Sequence, residues 1–168
     1  MSTPSPSDVP ASPEVVDIER ALYRITYLTS RARQHERLMA AAGVPLDRPG
    51  AALLRKMADA RPMRPGELAA RLGVEASHVT RTVQHLEKSG HVVRVPDPDD
   101  RRAQRIELTD AGREAVLRIR ETGVRGVQAA LAHWSPDDLR QLATLFHRMV
   151  DDFLTHAENA DAPSTATD

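Results

Sequence analysis

The stretch from Arg64 to Thr109 constrains the fold of this chain more than any other segment. Two short amphipathic segments flank a turn at residues 73–75, and after them come Gly90, an apolar strand, a charged turn and a second strand. A glycine placed after an amphipathic segment is a common helix end, because glycine adopts a positive φ without strain. This order of elements is typical of a winged helix-turn-helix, which places its second helix in the major groove of DNA.

The composition narrows the possible classes of protein. The chain has 168 residues, of which only 3% are aromatic, so we expect one domain of ordinary size with helical extensions and an aliphatic core. The absence of cysteine excludes disulfides, thiolate zinc sites and thiol-based redox sensing. No apolar run approaches the roughly 18–20 residues that a membrane span needs, and the N-terminal stretch lacks the basic and apolar regions of a signal peptide. We therefore expect a cytoplasmic protein that has no contact with membranes.

The distribution of charge favours residues 61–94 as a nucleic-acid interface. The formal net charge of the whole chain is -1, which by itself is unfavourable for binding phosphates. Residues 61–94, however, carry six Lys and Arg side chains against three Glu, whereas residues 151–168 carry five acidic side chains and no basic one. The negative charge therefore lies largely outside the predicted winged helix.

Hydrophobic periodicity predicts a mainly α-helical chain with one small β-hairpin. Apolar residues recur every three or four positions from Val15 onwards, which predicts one continuous helix over about residues 15–42, ended by Gly43. Thr109 and Ser135 are the predicted N-caps of the last two helices. The other predicted helices cover about residues 49–59, 66–72, 76–89, 110–133 and 135–156, and the predicted strands cover residues 92–95 and 105–108.

The predicted helix over residues 76–89 has one apolar stripe. Val79, Val83 and Leu86 fall on one face at helical spacing, and we expect them to be buried. Val74, in the turn before this helix, is expected to pack into the same core. The polar residues between them then point outward, which is the arrangement that a recognition helix needs.

Long apolar stripes on the first and the last two helices predict self-association. One small domain cannot cover all three stripes, exposed stripes of that size usually mean association, and a two-fold dimer is the simplest closed arrangement. The predicted segments are a disordered tail over residues 1–13, an N-terminal dimerisation helix over residues 14–48, a DNA-binding winged helix-turn-helix over residues 49–109, C-terminal dimerisation helices over residues 110–156 and a disordered tail over residues 157–168.

The chain resembles the MarR family of winged-helix transcriptional regulators over nearly all of residues 15–154. The most specific match lies in the predicted wing, where Asp100 and Arg102 precede Leu108 and Thr109 at the spacing Asp-x-Arg, five residues, Leu-Thr. Residues 66–69 with 72–74, and residues 79–81 with 86, 87 and 90, also fit the pattern of the family.

The resemblance implies an assembly and a mode of DNA binding. It implies obligate homodimers whose N- and C-terminal helices intertwine, a recognition helix in the major groove, and a wing-tip arginine in the adjacent minor groove. Many members are repressors released by small phenolic or lipophilic ligands bound between the two regions. Arg64 departs from the family pattern, because a Ser or Thr cap is common at this position; Arg64 could contact a phosphate there instead.

The predicted DNA contacts come from the recognition helix and from residues around it. Arg81 is placed one turn into this helix, where a guanidinium can bind the acceptors of guanine or a phosphate; an ion pair on a solvated face is the alternative. In the wing, Arg101 is the predicted minor-groove probe and Asp100 the residue that holds Arg102 to shape the loop, and the alternative is a solvated turn of mixed charge. The predicted set of DNA contacts is Arg64, Ser77, His78, Thr80, Arg81, Gln84, Arg94, Arg101 and Arg102.

Apolar residues of the terminal helices are the predicted dimer contacts, with Trp134 as an anchor between the last two helices. Tyr23 and Tyr27 lie on one face of the first helix, where they serve either dimer packing or a ligand pocket. Arg31 and His35 could hold an acidic effector in that pocket, together with Tyr27. The predicted dimer interface consists of Ile18, Leu22, Trp134, Leu139, Leu142, Leu145, Phe146 and Val150.

The sequence offers no assembled catalytic, cofactor or metal site. It lacks a phosphate-cradling glycine loop and a nucleophile elbow, and none of its seven histidines pairs with another at a spacing of three or four residues. We therefore predict no enzyme but a homodimeric repressor that binds pseudo-palindromic sites in double-stranded DNA, with a small organic ligand as candidate effector. The alternative is a winged helix that mediates protein contacts or sensing, whose binding need not weaken steeply with salt.

Overall fold

The computed structural model describes residues 11–100 and 102–161. The described chain is mainly helical with one antiparallel β-hairpin, as predicted, and it divides into two compact units, one that ends at Arg125 and one that begins at Gly126. No helix in the described part of the chain is both long and apolar enough to span a membrane. The elements are α1 (Pro13–Ser30), α2 (Ala32–Ala42), α3 (Arg48–Ala58), α4 (Pro65–Leu72), α5 (Ala76–Lys88), β1 (Val92–Pro96), β2 (Gln104–Leu108), α6 (Asp110–Ala130) and α7 (Pro136–Asp161).

The core of the first unit is built from aliphatic and methionine side chains that come from seven elements. α5 contacts α3, α4 and β1, and α3 also contacts β2. A core without aromatic rings follows from the composition, because Leu, Ile and Val have to fill the space between these elements. Its largest fully buried side chains include Leu53, Leu54, Leu68, Val83, Leu86, Ile106 and Ile119.

The turn between α4 and α5 is set by Gly73, which adopts the left-handed conformation with φ 63°. The N–H groups of Gly73 and Val74 donate to the carbonyls of Ala70 and Ala69 at 3.3 and 3.1 Å, which ends α4. The prediction that Val74 packs into the core was wrong, because its side chain is 43% exposed. The bond from its N–H back to α4 fixes the turn with this side chain towards solvent.

The hairpin pairs Val92 with Leu108 at its base and Pro96 with Gln104 near its tip, so each strand is one residue longer than predicted. β2 is also paired on its other edge, where Met63 and Ile106 exchange two backbone hydrogen bonds of 3.4 and 2.8 Å. Because Met63 lies two residues before the start of α4, this bridge ties the entrance of the helix-turn-helix to the wing strand.

The base of the hairpin is fixed by Thr109, which caps α6 as predicted. The hydroxyl of Thr109 donates to the carbonyl of Gly90 at 2.6 Å and accepts from the N–H of Gly112 at 3.0 Å. The N–H of Thr109 donates to the carbonyl of His91 at 3.1 Å. One threonine therefore joins the end of α5, the start of β1 and the first turn of α6.

The N-terminal helix is broken in two, and the prediction of one helix over residues 15–42 was wrong. Arg31 adopts an extended conformation with φ -65° and ψ 129° between α1 and α2. The hydroxyls of Thr29 and Ser30 bond back to carbonyls of the preceding turn, and a guanidinium nitrogen of Arg48 donates to the carbonyls of Thr29, Ser30 and Arg31 at 3.3, 2.7 and 2.6 Å. Arg48 thus donates the hydrogen bonds that these carbonyls would otherwise accept from N–H groups of a continuing helix.

The second unit contains the end of α6, a short connection and α7. α6 ends at Ala130, three residues earlier than predicted, because the N–H of Trp134 closes a turn onto the carbonyl of Leu131 at 3.0 Å. Ser135 caps α7 as predicted, since its hydroxyl accepts from the N–H of Asp138 at 3.1 Å. α7 continues to Asp161, so the segment predicted as a C-terminal tail begins in a helix, while residues 1–10 and 162–168 of the predicted tails lie outside the described residues.

A close backbone contact at Gly112 makes a first prediction. A β-carbon at this position would overlap with the carbonyl oxygen of His91, which is backbone and cannot rotate away. Gly112→Ala should therefore lower the free energy of unfolding by about 1–3 kcal/mol or more, the usual cost of overpacking. Urea denaturation followed by circular dichroism measures this change.

Gly126→Ala is the matched control in the same helix, because a β-carbon at Gly126 meets no atom within 4 Å. It should raise the free energy of unfolding by about 0.5–1 kcal/mol, since alanine loses less backbone entropy in a helix than glycine does. Equal stability of the two variants would contradict the close approach at Gly112.

Candidate nucleic-acid interface

The polar face of α5 is exposed above a buried aliphatic stripe. Val79, Val83 and Leu86 are 2%, 0% and 0% exposed, as predicted. Their burial fixes the rotation of the helix about its axis, so the polar residues between them face solvent. The exposed polar residues of this face are Ser77, His78, Thr80, Arg81, Gln84, His85 and Lys88.

The first turn of α5 leaves its donors and acceptors partly free. The side chain of Glu75, at the N-cap position, makes no capping hydrogen bond. The hydroxyl of Thr80 donates to the carbonyl of Ala76 at 2.9 Å. Thr80 therefore offers an outside partner its oxygen lone pairs and its methyl group, because its one hydrogen is already used.

Two of the arginines predicted to contact DNA differ in their surroundings. Arg81 is exposed and forms no ion pair with any described residue. Arg94 is paired with Glu87, with 3.2 Å between Nε and Oε2, and its side chain is 26% exposed. The pair joins α5 to β1, so Arg94 supports the hairpin, and its role in DNA contact stays a prediction.

Asp97 is the buried centre of the wing. It is 2% exposed, and its Oδ2 accepts from the Nε of Arg64 at 2.7 Å and from the Nε of Arg105 at 2.9 Å. Its Oδ1 accepts from the N–H of Asp99 at 2.8 Å, while the Asp99 carboxylate accepts from Nη2 of Arg105 at 2.8 Å. Asp97 thus joins the residue before α4 to the first residues of the wing turn and to β2.

Sequence reasoning missed Asp97 and Arg105. In the sequence, Asp97 appears as one of several acids in a turn, and Arg105 as an ordinary strand residue. Only the pairing of β1 with β2 brings them together, and only the bridge at Met63 brings Arg64 to the same place. A buried charge needs such partners, but the sequence does not say which residues supply them.

The wing tip is shaped through backbone bonds of Asp100. Its carboxylate accepts from the N–H of Arg102 at 3.0 Å, and its carbonyl accepts from the N–H of Ala103 at 2.9 Å. Asp100 holds the backbone of Arg102 and leaves its guanidinium exposed and outside any ion pair with the described residues. Arg101, the predicted minor-groove probe, lies outside the described residues.

The start of α4 lacks a side-chain cap, as the arginine at position 64 implies. The Glu67 carboxylate accepts from the N–H of Arg64 at 3.0 Å, so one half of a capping arrangement is present. The Arg64 side chain cannot supply the other half, because a guanidinium has no acceptor. It extends to Asp97 instead.

The charges around Asp97 shift its pKa and those of its partners. Hydrogen bonds from Arg64 and then from Arg105 hold the pKa of Asp97 well below its ordinary value of 3.8, although burial opposes this. The same hydrogen bonds to Asp97 raise the pKa of Arg64 and of Arg105. All three groups therefore stay ionised at neutral pH.

His91 adds no fixed positive charge to this surface. Burial lowers its pKa, and the charges of Arg118 and His85 lower it further. Its Nδ1 lies 2.8 Å from the hydroxyl of Ser89. Because the neutral imidazole is favoured here, His91 contributes little positive charge towards a phosphate.

The structure does not gather the three residues of the predicted ligand pocket. His35 lines a cavity of about 860 Å³ beside α2, but its Nε2 lies 2.8 Å from the carbonyl of Leu46. Tyr27 and Arg31 are outside the lining of this cavity. They pair with each other, because the guanidinium of Arg31 lies 4.7 Å from the ring centroid of Tyr27 and donates to its hydroxyl at 3.1 Å.

A second cavity, of about 730 Å³, was not anticipated from the sequence. It lies in the first unit between the end of α3, β2 and α6, and its lining includes the apolar residues Met57, Val116 and Ile119. Because the lining residues are scattered over three elements, no local motif marks it. Its basic side chains are Arg55, Arg61, Arg113 and Arg120.

The residues predicted at a dimer interface are at least partly exposed. Leu22 is half-buried, and the others are between 37% and 54% exposed. Single exposed apolar residues are ordinary, whereas a continuous apolar face usually marks contact with a partner. The exposed members are Ile18, Trp134, Leu139, Leu142, Leu145, Phe146 and Val150.

The low pKa of Asp97 predicts a pH dependence of stability. Because its folded pKa lies below the ordinary value of 3.8, Asp97 stabilises the fold fully above about pH 4 to 5, and this contribution is lost as the pH falls below that value. Asp97→Asn should therefore be less stable than the wild type at pH 7, and the difference in melting temperature should shrink between pH 5 and about pH 2. Thermal melts across this range test it.

Asp99→Asn is the control, since it removes an exposed carboxylate of the same turn and leaves both bonds to Asp97 Oδ2 in place. Its difference from the wild type should stay small at every pH. A difference between Asp97→Asn and the wild type that is constant with pH would refute the assignment of the low pKa to Asp97.

The sequence of the winged helix is similar to those of known transcriptional regulators. Residues 46–103 match the model of the MarR family. An uncharacterized HTH-type transcriptional regulator of Bacillus subtilis, YkoM, is 31% identical over 87 residues, which is 52% of this chain and 56% of that protein. The HTH-type transcriptional regulator BilQ of Clostridioides difficile is 28% identical over 85 residues, which is 51% of this chain and 57% of that protein. The chain thus spans about half the length of the curated relatives it matches.

Solved structures share the fold over most of the chain. A MarR family protein from Bacillus stearothermophilus superposes with a TM-score of 0.76 at 18% identity, over 87% of this chain and 99% of that one. The transcriptional regulator Tm0710 from Thermotoga maritima superposes with a TM-score of 0.62 at 25% identity, over 84% of this chain and 97% of that one. The chain thus matches the MarR family in the sequence of residues 46–103, and its described residues share the fold of a MarR family protein.

Proposed function

We propose that this chain is a transcriptional regulator that binds duplex DNA with α5 in the major groove. The observation that carries the proposal is the orientation of α5, whose exposed polar face lies opposite the buried Val79, Val83 and Leu86. A helix of 13 residues held in this way enters a major groove about 12 Å wide. The matched relatives are named HTH-type transcriptional regulators, which supports the same conclusion.

The polar residues of α5 have the chemistry for base contacts. Arg81 can bind the acceptors of guanine with two parallel hydrogen bonds, and Gln84 can bind adenine in the same manner. Ser77, His78 and Thr80 lie at the start of the helix, where contacts to base edges usually fall. Around α5, we propose phosphate or minor-groove contacts for Arg64, Arg94, Arg101 and Arg102.

We propose further that the regulator is a homodimer. The apolar faces of α1 and α7 are exposed in the single chain, and burying an apolar side chain such as Leu145 or Phe146 contributes about 1.5–3 kcal/mol. A second copy of the chain is the simplest partner, because a two-fold pair presents two recognition helices to a pseudo-palindromic site. The half-sites are then about 34–36 Å apart, one turn of the double helix. The dimerisation segments are those predicted at residues 14–48 and 110–156.

We propose finally that the regulator is a repressor and that a small organic ligand releases it from DNA. The cavity of about 730 Å³ in the first unit has the volume of a typical ligand site. Its apolar lining suits an aromatic or lipophilic body, and its four arginines suit an acidic group. A ligand there contacts both β2 and α6, so it can alter the support of the wing.

Arg81→Ala should weaken binding to the cognate duplex by about 1–3 kcal/mol, which is about 5- to 150-fold in Kd. The physical reason is the loss of a guanidinium that is exposed and unpaired among the described residues. Selection of bound duplexes from a random library supplies the cognate site. Fluorescence anisotropy at a stated salt concentration then gives the Kd.

Arg20→Ala is the control for the loss of one positive charge. Arg20 lies on α1, is 67% exposed and pairs with Asp17, so its removal should change the Kd less than twofold. An unchanged Kd for Arg81→Ala would remove Arg81 from the interface. Absence of duplex binding by the wild type, or a Kd insensitive to salt, would instead favour a winged helix that contacts proteins.

Leu142→Asp should convert the dimer to a monomer or prevent folding, because it places a charge in the apolar face of α7. Leu142 is 38% exposed in the single chain, and a carboxylate buried there without a partner is costly. Size-exclusion chromatography with light scattering measures the mass. Gln141→Asp, the neighbouring polar position, should leave the dimer intact. A stable dimer of Leu142→Asp would refute the assignment of this face.

A further inference from the structure

Two guanidinium groups share one oxygen of the buried Asp97. The Nε of Arg64 and the Nε of Arg105 lie 2.7 and 2.9 Å from Oδ2. The other oxygen, Oδ1, accepts from the N–H of Asp99 at 2.8 Å. Both oxygens of Asp97 are therefore used inside the protein, and its side chain has no exposed surface.

The two arginines differ in what they leave free. Nη2 of Arg105 donates to the Asp99 carboxylate at 2.8 Å, and the Arg105 side chain is 28% exposed. The Arg64 side chain is 40% exposed, and its two Nη groups make no hydrogen bond with any described residue. Arg64 is thus bound through its Nε while its two Nη groups have no partner among the described residues, whereas Arg105 is bound through both Nε and Nη2.

The backbone of Arg64 is held as well. Its N–H donates to the Glu67 carboxylate at 3.0 Å, and its neighbour Met63 is bonded to Ile106 of β2 through two backbone hydrogen bonds. The side chain therefore starts from a fixed point at the entrance of α4 and ends at a fixed point in the wing. An arginine fixed in this way loses little freedom when its outer edge binds a ligand.

Acidic neighbours limit what the outer edge of Arg64 can bind. The charges of Glu67 and Asp100 act on Arg64 in addition to that of Asp97. These carboxylates repel an approaching anion, so a mobile cation at this place would attract anions only weakly. A guanidinium fixed with its two Nη groups outward can still bind one phosphate through two parallel hydrogen bonds.

We propose that Asp97 is a positioning residue for DNA binding, which holds Arg64 by its Nε so that the two Nη groups bind a backbone phosphate of the duplex. The inference rests on the proposed function, because it assigns a DNA contact to the same interface. Arg105 balances the charge of Asp97 and fixes the wing turn. Asp97 touches no DNA and acts only through Arg64.

The direction in which Asp97→Asn changes the Kd for DNA distinguishes a positioning role of Asp97 from an effect of net charge. Removing a carboxylate near DNA should strengthen binding if only net charge mattered. If Asp97 positions Arg64, Asp97→Asn should instead weaken binding, because the neutral amide holds the guanidinium less firmly. We expect Asp97→Asn to raise the Kd for the cognate duplex about tenfold, a loss comparable to that of one charge-assisted hydrogen bond.

A double-mutant cycle tests whether Asp97 acts through Arg64. The proteins are full-length wild type, Arg64→Ala, Asp97→Asn and the double variant, titrated with the duplex selected by the wild type at several salt concentrations. We expect Arg64→Ala to raise the Kd about tenfold and to reduce the slope of log K against log salt by about 0.9, the value for one lost phosphate contact. The double variant should bind no more weakly than Arg64→Ala alone.

Arg64→Lys and Asp99→Asn complete the experiment. Lysine keeps the charge but cannot hold Asp97 with one nitrogen and a phosphate with two others, so Arg64→Lys should remain about tenfold weaker than the wild type. Asp99→Asn removes an exposed carboxylate that does not contact Arg64, and it should bind as tightly as the wild type or more tightly. Thermal melts show which variants are folded, and Arg64→Lys carries the test if Asp97→Asn is not.

Three results overturn the inference alone: wild-type affinity in Arg64→Lys, tighter binding by folded Asp97→Asn, or additive losses in the double variant. Failure of the wild type to bind any selected duplex overturns the proposed function and the inference together. Binding by the wild type therefore distinguishes the two failures. If the wild type binds DNA but Arg64 and Asp97 are not coupled, the proposed function stands and only the positioning role of Asp97 is lost.

Discussion

The orientation of α5 depends on the burial of three aliphatic side chains on one of its faces. Val79, Val83 and Leu86 are at most 2% exposed, and burial of such side chains contributes about 1.5–3 kcal/mol each. Rotation of α5 about its axis would expose them, so the exposed position of Arg81 follows from the core and needs no contact of its own. The groups proposed to bind DNA are thus placed by residues that never touch it.

The wing is held to the helices by buried apolar side chains of both strands and by polar contacts, because a two-stranded hairpin has little stability of its own. At its base, Thr109 bonds to the backbone of Gly90 and His91. Towards its tip, Asp97 joins Arg64 before α4 to Arg105 in β2. Together with the bridge at Met63 and the pair of Arg94 with Glu87, these contacts fix the hairpin along its length. The contact near the tip depends on a charged group that is buried only because it has partners.

The sequence predicted those features that follow from local pattern. The apolar spacing of α5, the left-handed Gly90 and the caps at Thr109 and Ser135 each depend on residues within a few positions, and the structure confirms them. The features it missed depend on distant residues. Arg48 bonds to the carbonyls at the break of the first helix from 17 to 19 positions away, and Asp97 meets Arg64 across 33 positions. Periodicity contains no information about such contacts.

The pairing of acidic residues explains how a chain with a formal net charge of -1 can offer a basic surface. Within the winged helix, Asp97 is neutralised by two arginines, Glu87 pairs with Arg94, and Glu67 accepts from a backbone N–H. Acidic groups engaged in this way oppose a phosphate less than free ones do, because their charge is offset at short range. Arg81 and Lys88 form no ion pair with the described residues, so the uncompensated charge of α5 is positive where the major groove would be.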